Sequence, residues 1–263
     1  VGSEMCIRVV SGGAALQPRL ARVFWAAQMP VQEGYGLTET SPVIAVNIPK
    51  KGQTEFTTVG RPIQDVEVKI AADGEILCKG PNVMKGYYKR PDATAEVIDA
   101  DGFFHTGDIG ELTPTGFLRI TDRKKEVFKT AGGKYVAPQS LENKFKESPY
   151  IEQIMVIGEN QRFPAALIVP AFDVLQEWCK RKNIPWTSRA DIVKNPLVID
   201  KFQREIDFYN KEFGHWEQVK KVALLPKEWS IDGGELTPKL SFRRKVIFEK
   251  NKDSVEEIYR NVR

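Results

Sequence analysis

Side chains that could carry chemistry are concentrated in one run of the sequence, FFHTGDIGELTPTGFLRITDRKKEVFKTAGGKYVAP, which spans residues 103–138. Asp108 follows a Thr-Gly turn, and Arg123 follows a strand-like stretch whose apolar residues suit a small sheet. A carboxylate accepts hydrogen bonds from two neighbouring hydroxyls, and a guanidinium donates to the same pair. Asp108 and Arg123 together therefore predict a site for the diol of a ribose.

A second motif with chemical potential reads VQEGYGLTETSP. Gly34 and Gly36 flank Tyr35 and leave the backbone open for close contact with a ligand, while an aromatic ring there can stack on adenine. Thr38 offers a hydroxyl to a phosphate, and Glu39 is a hard oxygen ligand that suits Mg²⁺. By itself such a motif is typical of an ordinary loop, but its groups would also suit a nucleotide and its metal ion.

The elements that must position these loops are strands and a helix near the start of the chain. Residues 7–10 read as a strand, and the Gly12-Gly13 turn that follows is small enough for a planar ring to approach the backbone. Residues 18–27 have a helical apolar pattern. The predicted apolar side of that helix consists of Leu20, Val23, Phe24 and Ala27.

Composition limits the partners that this protein can have. The 263 residues are 41% hydrophobic and 28% charged, a balance typical of globular domains. A net charge of +4 is too small for a nucleic-acid footprint, so we expect small-molecule partners and no nucleic acid. Three separated cysteines and two histidines leave little material for a zinc site and favour a reduced, cytoplasmic compartment. No apolar run approaches the roughly 18 residues of a membrane span.

The combined motifs resemble those of the adenylate-forming ligases, the family of acyl-CoA synthetases, luciferases and peptide-synthetase adenylation domains. The segments TVGRPI, GEILCKGPNVMKGYYKRPDAT and FFHTGDIG are most similar to long-chain fatty-acyl-CoA synthetases. The resemblance implies that Asp108 and Arg123 hold the ribose of ATP or AMP. It also makes SGGAAL, with Gly12, Gly13 and Ala14, the wall on the adenine side. Tyr87 and Tyr88 are interpreted as packing residues.

The same resemblance assigns the residues after Arg123 to a small mobile lid. Lys125 matches the hinge position, and Lys129 matches a catalytic lysine of the second half-reaction. Gly132 and Gly133 match a hairpin that lines the channel for CoA. A phosphate-binding P-loop does not explain this GGK sequence, because no glycine precedes it at the required spacing and a tyrosine replaces the necessary Ser or Thr.

The segment GGELTPKLSFRRK resembles the loop that carries the adenylating lysine of these ligases. Ser241 stands at the position of that lysine, and the nearest lysine is Lys239, two residues earlier. A cation is needed there because negative charge builds on the carboxylate and the α-phosphate during the reaction. Two hypotheses remain: either the loop shifts so that Lys239 acts, which we favour, or adenylation is impaired.

We therefore expect an α/β fold followed by an α+β fold. Residues 1–122 would be the carboxyl-terminal part of the large AMP-binding domain, with a β-rich subdomain at about 56–122, and residues 123–263 would be the lid. The chain begins without methionine and inside a strand, so we expect a fragment that is inactive alone. Chain length of the acid and oligomeric state stay open.

The predicted function of the parent protein is ligation of a long-chain fatty acid to CoA, with ATP, Mg²⁺ and CoA as cofactors and substrates. We expect a cytoplasmic protein without a transmembrane segment, and peripheral contact with a membrane would suit an insoluble acid. Two alternatives stay open. One is an acyl-AMP ligase that loads a carrier protein, and the other is a non-catalytic module that senses nucleotides or acyl groups.

Overall fold

The computed structural model describes residues 9–14 and 16–260. The chain divides into two compact units, Val1–Lys125 and Glu126–Arg263, which we describe separately. Residues 7 and 8 of the first predicted strand, and Cys6, lie outside the described residues. Cys78 and Cys179 are buried free thiols.

The first unit contains a mixed sheet in the order β1-β2-β3-β4. Its strands are β1 (Val9–Ser11), β2 (Val31–Tyr35), β3 (Ala45–Val46) and β4 (Arg61–Pro62). Strands β1 and β2 are parallel and are connected by helix α1 (Pro18–Ala26), whereas β3 and β4 continue the sheet in antiparallel pairs. The predicted strand and helix are therefore present. The predicted loop is corrected in part, because its first residues, including Gly34 and Tyr35, form strand β2.

Helix α1 confirms the predicted helix but not the burial of its apolar side. It begins at Pro18, whose fixed φ suits a first helical position, and only Ala21 among its residues is buried. Leu20, Val23 and Phe24 are 44%, 57% and 38% exposed. Periodicity located the helix correctly, but within the described residues no element packs over this side.

A second, antiparallel sheet in the first unit has the order β5-β6-β7-β8. Its strands are β5 (Glu67–Ile70), β6 (Glu75–Lys79), β7 (Phe104–Leu112) and β8 (Leu118–Arg123), and helix α2 (Pro91–Val97) lies between β6 and β7. Ile44 and Ala45 of the first sheet share a core with Ile76, Cys78 and Leu118 of the second. This shared core holds the two sheets, and the loops at their ends, against each other.

The second unit is built around a sheet in the order β11-β12-β13, with β9 and β10 forming a separate hairpin. Its strands are β9 (Phe128–Lys129), β10 (Tyr135–Val136), β11 (Ile151–Ile157), β12 (Ala165–Pro170) and β13 (Lys221–Leu224). Its helices are α3 (Pro138–Phe145), α4 (Phe172–Arg181), α5 (Arg189–Ile192), α6 (Pro196–Asn210), α7 (Arg244–Lys250) and α8 (Lys252–Arg260). The central strand β12 reads AALIVP and is buried throughout, as expected for a strand covered on both faces.

These sheets and helices confirm the predicted fold class. Phe202 and Ile206 are four residues apart on α6, which places them on one face of the helix, and both are fully buried. Across the part of the chain that the structure describes, no helix is both long and apolar enough to cross a bilayer.

Candidate functional site

Asp108 and Arg123 lie directly opposite each other on the neighbouring strands β7 and β8. The Nε atom of Arg123 is 3.7 Å from Oδ1 of Asp108. The carboxylate is largely buried, whereas the arginine side chain is 59% exposed. A buried acceptor and an exposed donor therefore lie side by side at one sheet end, and their role in holding a diol stays a prediction.

Tyr35 connects this pair to the first sheet. Its hydroxyl donates a 2.7 Å hydrogen bond to Oδ2 of Asp108, so the two carboxylate oxygens face different partners. Burial raises the pKa of Tyr35, and the adjacent charge of Asp108 raises it further, which keeps the phenol protonated as a donor. The sequence predicted only that Tyr35 stacks on adenine, and that role stays a prediction. The hydrogen bond to Asp108 was missed, because the two residues are distant in the chain.

The glycines predicted to contact a nucleotide lie at the ends of the parallel strands β1 and β2. Ser11 is paired with Glu33, which places Gly12 beside Gly34. A Cβ atom on Gly12 would lie 3.5 Å from the carbonyl oxygen of Gly34. Ligands of open α/β sheets bind outside the carboxyl ends of parallel strands, and the loop 12–14 leaves β1 at this edge.

Gly36 is required by packing within its own loop. A Cβ atom there would lie 1.7 Å from the carbonyl oxygen of Pro42, which no side chain tolerates. At Gly34 the nearest atom would be 3.8 Å away. Glycine is therefore required at position 36 by the closeness of the Pro42 carbonyl, whereas a Cβ atom at position 34 would make only an ordinary contact. The sequence motif alone does not distinguish the two positions.

Thr38 and Glu39 begin a short 3₁₀ turn, Thr38–Thr40. The buried Thr40 closes this turn by accepting a hydrogen bond from the backbone N–H of Leu37 at 2.9 Å. Thr38 is exposed. The turn thus presents a hydroxyl and a carboxylate in succession, next to the Gly-Tyr-Gly loop.

Tyr87 holds the side chain of Glu39. Its hydroxyl donates a 3.0 Å hydrogen bond to Oε1 of Glu39, and the backbone N–H of Met84 donates to the Glu39 carbonyl at 2.8 Å. The interpretation of Tyr87 and Tyr88 as packing residues is wrong, because they are 38% and 86% exposed. No spacing rule links Tyr87 to Glu39, so only the fold could reveal the contact.

Glu39 can serve as one ligand of Mg²⁺. In the described part of the chain, no group of three or more His, Cys, Asp or Glu side chains could hold a metal ion. Mg²⁺ is commonly bound by one or two carboxylates together with water and substrate phosphates. A single oriented carboxylate beside an exposed hydroxyl fits that pattern.

Glu33, which sequence reasoning did not select, is an unusual acid in the same loop region. It lies on β2 immediately before Gly34, and burial raises its pKa to about 7. Such a carboxyl group is neutral in mildly acidic solution and ionises near neutrality.

In the second unit, Lys239 and Ser241 share one short hairpin. Leu236 pairs with Phe242, and the backbone N–H of Thr237 donates to the Ser241 carbonyl at 2.9 Å. Both Lys239 and Ser241 are exposed near its tip. A lysine displaced by two positions from the usual one is therefore still presented by the same loop.

The remaining predicted lid residues lie near the start of the second unit. Lys129 is on β9 opposite Tyr135 of β10, with its Nζ atom 5.4 Å from the centre of the tyrosine ring. Gly132 and Gly133 occupy the turn between these strands. Lys125 is the last residue before the division between the units. Their roles in a hinge and a CoA channel stay predictions.

Comparison with known proteins identifies the family. The family profile described as "AMP-binding enzyme" matches residues 4–88, and the profile described as "AMP-binding enzyme C-terminal domain" matches residues 126–263. The adenylation domain of a carboxylic acid reductase from Segniliparus rugosus, solved with AMP and a co-purified carboxylic acid, is structurally similar. It superposes with a TM-score of 0.73 at 25% identity, covering 96% of this chain and 39% of that one.

Curated relatives extend the likeness along almost the whole sequence. The long-chain-fatty-acid–CoA ligase FadD15 of Mycobacterium bovis is 38% identical over 255 residues, covering 97% of this chain and 42% of the relative. Human long-chain-fatty-acid–CoA ligase 6 is 36% identical over 270 residues, covering 97% of this chain and 38% of the relative. The chain thus spans about two fifths of the length of these relatives. The C-terminal profile alone covers more than half of the sequence, and the chain belongs to the AMP-binding enzyme family.

Proposed function

We propose that this chain works as the carboxyl-terminal part of a long-chain fatty acid:CoA ligase. A carboxylate and ATP would give acyl-AMP and pyrophosphate, and the thiol of CoA would then give acyl-CoA and AMP. The observation that carries the proposal is the contact of Asp108 with both Tyr35 and Arg123. The names of the fatty-acid–CoA ligases that resemble the chain support the substrate class.

In this proposal, the first unit binds the nucleotide. Asp108 accepts hydrogen bonds from the ribose hydroxyls, and Arg123 donates to them. The hydroxyl of Tyr35 holds the Asp108 carboxylate in place through its hydrogen bond. The small residues 12–14 leave room for the adenine ring. A charged acceptor that is already oriented loses little entropy when the ribose binds.

The turn at Thr38 and Glu39 would receive the phosphates. Thr38 offers its hydroxyl to the α-phosphate region, and Glu39 is held by Tyr87 in a position to bind Mg²⁺. When bound, Mg²⁺ would neutralise charge on the phosphates. Hydrogen bonding by Tyr87 reduces the number of orientations that the Glu39 carboxylate can adopt.

Lys239 would supply the cation of the adenylation step. As the acyl carboxylate attacks the α-phosphate, an ammonium group close to both oxygens lowers the barrier, which the neutral hydroxyl of Ser241 cannot do. The hairpin presents both residues near its tip, and Leu240 between them has a positive φ of 61°. Such a tight turn supports the hypothesis that Lys239 replaces the usual lysine.

For the second step, the lid would turn about Lys125 and bring Lys129 and the Gly132-Gly133 hairpin to the acyl-adenylate. The glycines have no side chains and leave a narrow space for the pantetheine arm of CoA. Lys129 lies exposed beside Tyr135. Two reactions thus use one nucleotide site with two lid positions.

Palmitate-dependent exchange of pyrophosphate into ATP, measured on the full-length protein that contains this chain, tests the proposal. We expect Lys239→Ala to lower the exchange rate by about 10²- to 10³-fold, the usual loss when one charge-stabilising donor is removed. Lys245→Ala, an exposed lysine on α7, is the matched control. Adding Ser241→Lys to Lys239→Ala should recover part of the rate, because it restores a cation at the usual position.

Each contrary result has a separate meaning. Absence of exchange in the unchanged protein would favour a non-catalytic sensor and contradict the ligase proposal. Full exchange in Lys239→Ala would contradict only the role of Lys239. Offering CoA and a carrier protein separately distinguishes the thioester ligase from a carrier-loading acyl-AMP ligase.

A further inference from the structure

We propose that Glu75 is a positioning residue for Asp108 and Arg123, the pair assigned above to the ribose. This inference rests on the proposed nucleotide function and names a residue that acts through others. Glu75 begins strand β6, and its side chain is 4% exposed. It does not touch the ribose site itself, but it contacts the backbone on which that site is built.

The carboxylate of Glu75 has three partners from two other segments. Lys124 donates from Nζ at 2.8 Å, Nδ1 of His105 lies at 2.9 Å, and the backbone N–H of Gly107 donates at 3.0 Å. A buried carboxylate is costly unless it is paired and hydrogen-bonded. Burial alone would raise the pKa of Glu75, but these three hydrogen bonds outweigh it and hold the pKa below its usual value.

The contact with Gly107 lies where the pairing of β6 and β7 is irregular, and it supplies the Gly107 N–H with an acceptor. Leu77 pairs with His105 and Glu75 pairs with Ile109, so β7 has a bulge between these positions. The Gly107 N–H donates to Glu75 instead of to a strand partner, and the Asp108 N–H lies 3.2 Å from the hydroxyl of Thr106. Bulges commonly re-aim a side chain beside an active site, and here the bulge carries Asp108.

The same carboxylate also fixes the chain just after Arg123. Lys124 is bound to Glu75 through its side chain, and its backbone N–H donates to the Gly107 carbonyl at 2.9 Å. Glu75 thus holds the residue before Asp108 directly and the residue after Arg123 through an ion pair. Both members of the ribose pair depend on one buried acid for their backbone positions.

Asp73 provides a natural control within this cluster. Its carboxylate pairs with the same Lys124 at 2.7 Å, but it is 52% exposed. Exposed ion pairs contribute little to stability, and the Gly107 N–H donates to Glu75 rather than to Asp73. Asp73 also accepts a hydrogen bond from the backbone N–H of Glu75 at 3.2 Å, which the amide oxygen of an asparagine can keep. Asp73→Asn should therefore weaken one contact of Lys124 and leave the bulge intact.

The test compares the affinities of the full-length protein that contains this chain for AMP and for 2′,3′-dideoxy-AMP, which lacks both ribose hydroxyls. We expect the unchanged protein to prefer AMP by about tenfold or more, because hydrogen bonds to a charged acceptor are among the stronger ones. Glu75→Gln should bring this ratio towards one, whereas Asp73→Asn should keep it. A purely structural role would lower both affinities together and leave the ratio unchanged.

If Glu75→Gln does not fold, Glu75→Asp is the variant to test. The shorter side chain keeps the charge but moves the carboxylate away from Gly107 by one methylene. It should also reduce the ratio in a chain whose circular dichroism is native. A normal ratio in a folded Glu75 variant would overturn the positioning role alone. Equal affinities for the two nucleotides in the unchanged full-length protein, or no binding of AMP by it, would overturn the ribose assignment itself.

Discussion

At the scale of single residues, the candidate site depends on polar contacts between segments that are distant in the sequence. Tyr35 orients Asp108, Tyr87 orients Glu39, and Glu75 supports the backbone beside Asp108. In each contact a neutral or cationic donor meets a carboxylate, which is the stronger class of hydrogen bond. The acids to which roles are proposed are therefore held in place by the protein itself.

Glu33 makes the stability of the chain depend on pH in a predictable direction. Its pKa rises from 4.5 to about 7 in the folded chain because of burial, so the folded state binds its proton more tightly than the unfolded state. The stabilisation is complete below pH 4.5 and is lost as the pH rises through about 7. We expect Glu33→Gln to weaken the fall in melting temperature over this interval. Glu67→Gln, an exposed acid on β5, is the control, and equal slopes in the two variants would contradict the prediction.

At the scale of elements, the site is placed by strand ends, a bulge and one tight loop. Strands β1 and β2 end at the same edge, β7 bulges at Asp108, and β8 brings Arg123 opposite. A bulge and a close loop each require particular backbone conformations, so small substitutions should have large effects there. The two glycines of the Gly-Tyr-Gly loop allow a direct comparison.

Gly36→Ala should destabilise the chain far more than Gly34→Ala. The new methyl group would overlap the Pro42 carbonyl at 1.7 Å in the first variant but lie 3.8 Å from its nearest neighbour in the second. Overpacking of this kind costs about 1–3 kcal/mol or more, because the backbone must move. Urea denaturation of both variants measures the difference in the free energy of unfolding. Similar values for the two alanine variants would show that the loop relaxes freely.

In the second unit, Arg244 at the start of α7 secures the lysine-bearing hairpin to the core. It forms two hydrogen bonds to the Glu142 carboxylate, at 2.8 and 2.7 Å, and one to Glu126 at 2.9 Å. Glu142 is 5% exposed on α3 and also accepts from the backbone N–H of Val156. The arginine therefore compensates a buried charge immediately after the loop that contains Lys239.

Arg244→Met should lower the free energy of unfolding of the second unit by about 3–5 kcal/mol, because it leaves Glu142 buried without its charged partner. Adding Glu142→Gln should recover part of the loss, since the amide oxygen can still accept from Val156. The exposed neighbour Arg243→Met is the control. Chemical denaturation followed by tryptophan fluorescence measures all three variants, and equal losses in the single and double variants would contradict the charge argument.

At the scale of the whole molecule, the division at Lys125 separates the predicted nucleotide ligands from the predicted catalytic lysines. The nucleotide ligands belong to the first unit, whereas Lys129 and Lys239 belong to the second. Each unit has a hydrophobic core of its own. This organisation is consistent with the proposed use of one lid in two reactions.

The isolated 263-residue chain should not form acyl-CoA from palmitate, ATP and CoA. It spans about two fifths of the length of its curated relatives, and no serine-, threonine- and glycine-rich pyrophosphate loop occurs in its sequence. Thioester formation by the chain, followed by chromatography, measures this directly. Clear turnover that disappears in Asp108→Ala would refute the prediction and place a complete catalytic site within these residues.

The sequence by itself determined the first strand and helix and the β-rich segment, because periodicity and turn residues are local properties. It also pointed to Asp108 and Arg123 as candidate ligands of a ribose. The similarity of the motifs to adenylate-forming ligases also pointed to the family that the comparisons identify.

Only the tertiary structure decided how the carboxylates are supported and which apolar side chains are covered. Glu75, Tyr87 and Arg244 acquire their roles from partners distant in the sequence, and no periodic pattern records such contacts. The exposed side of α1 shows the same limit, because an amphipathic pattern marks a surface that can be buried but does not specify what covers it. Hydrogen-bond partners and burial are properties of the packed chain, so they appear only when distant segments meet.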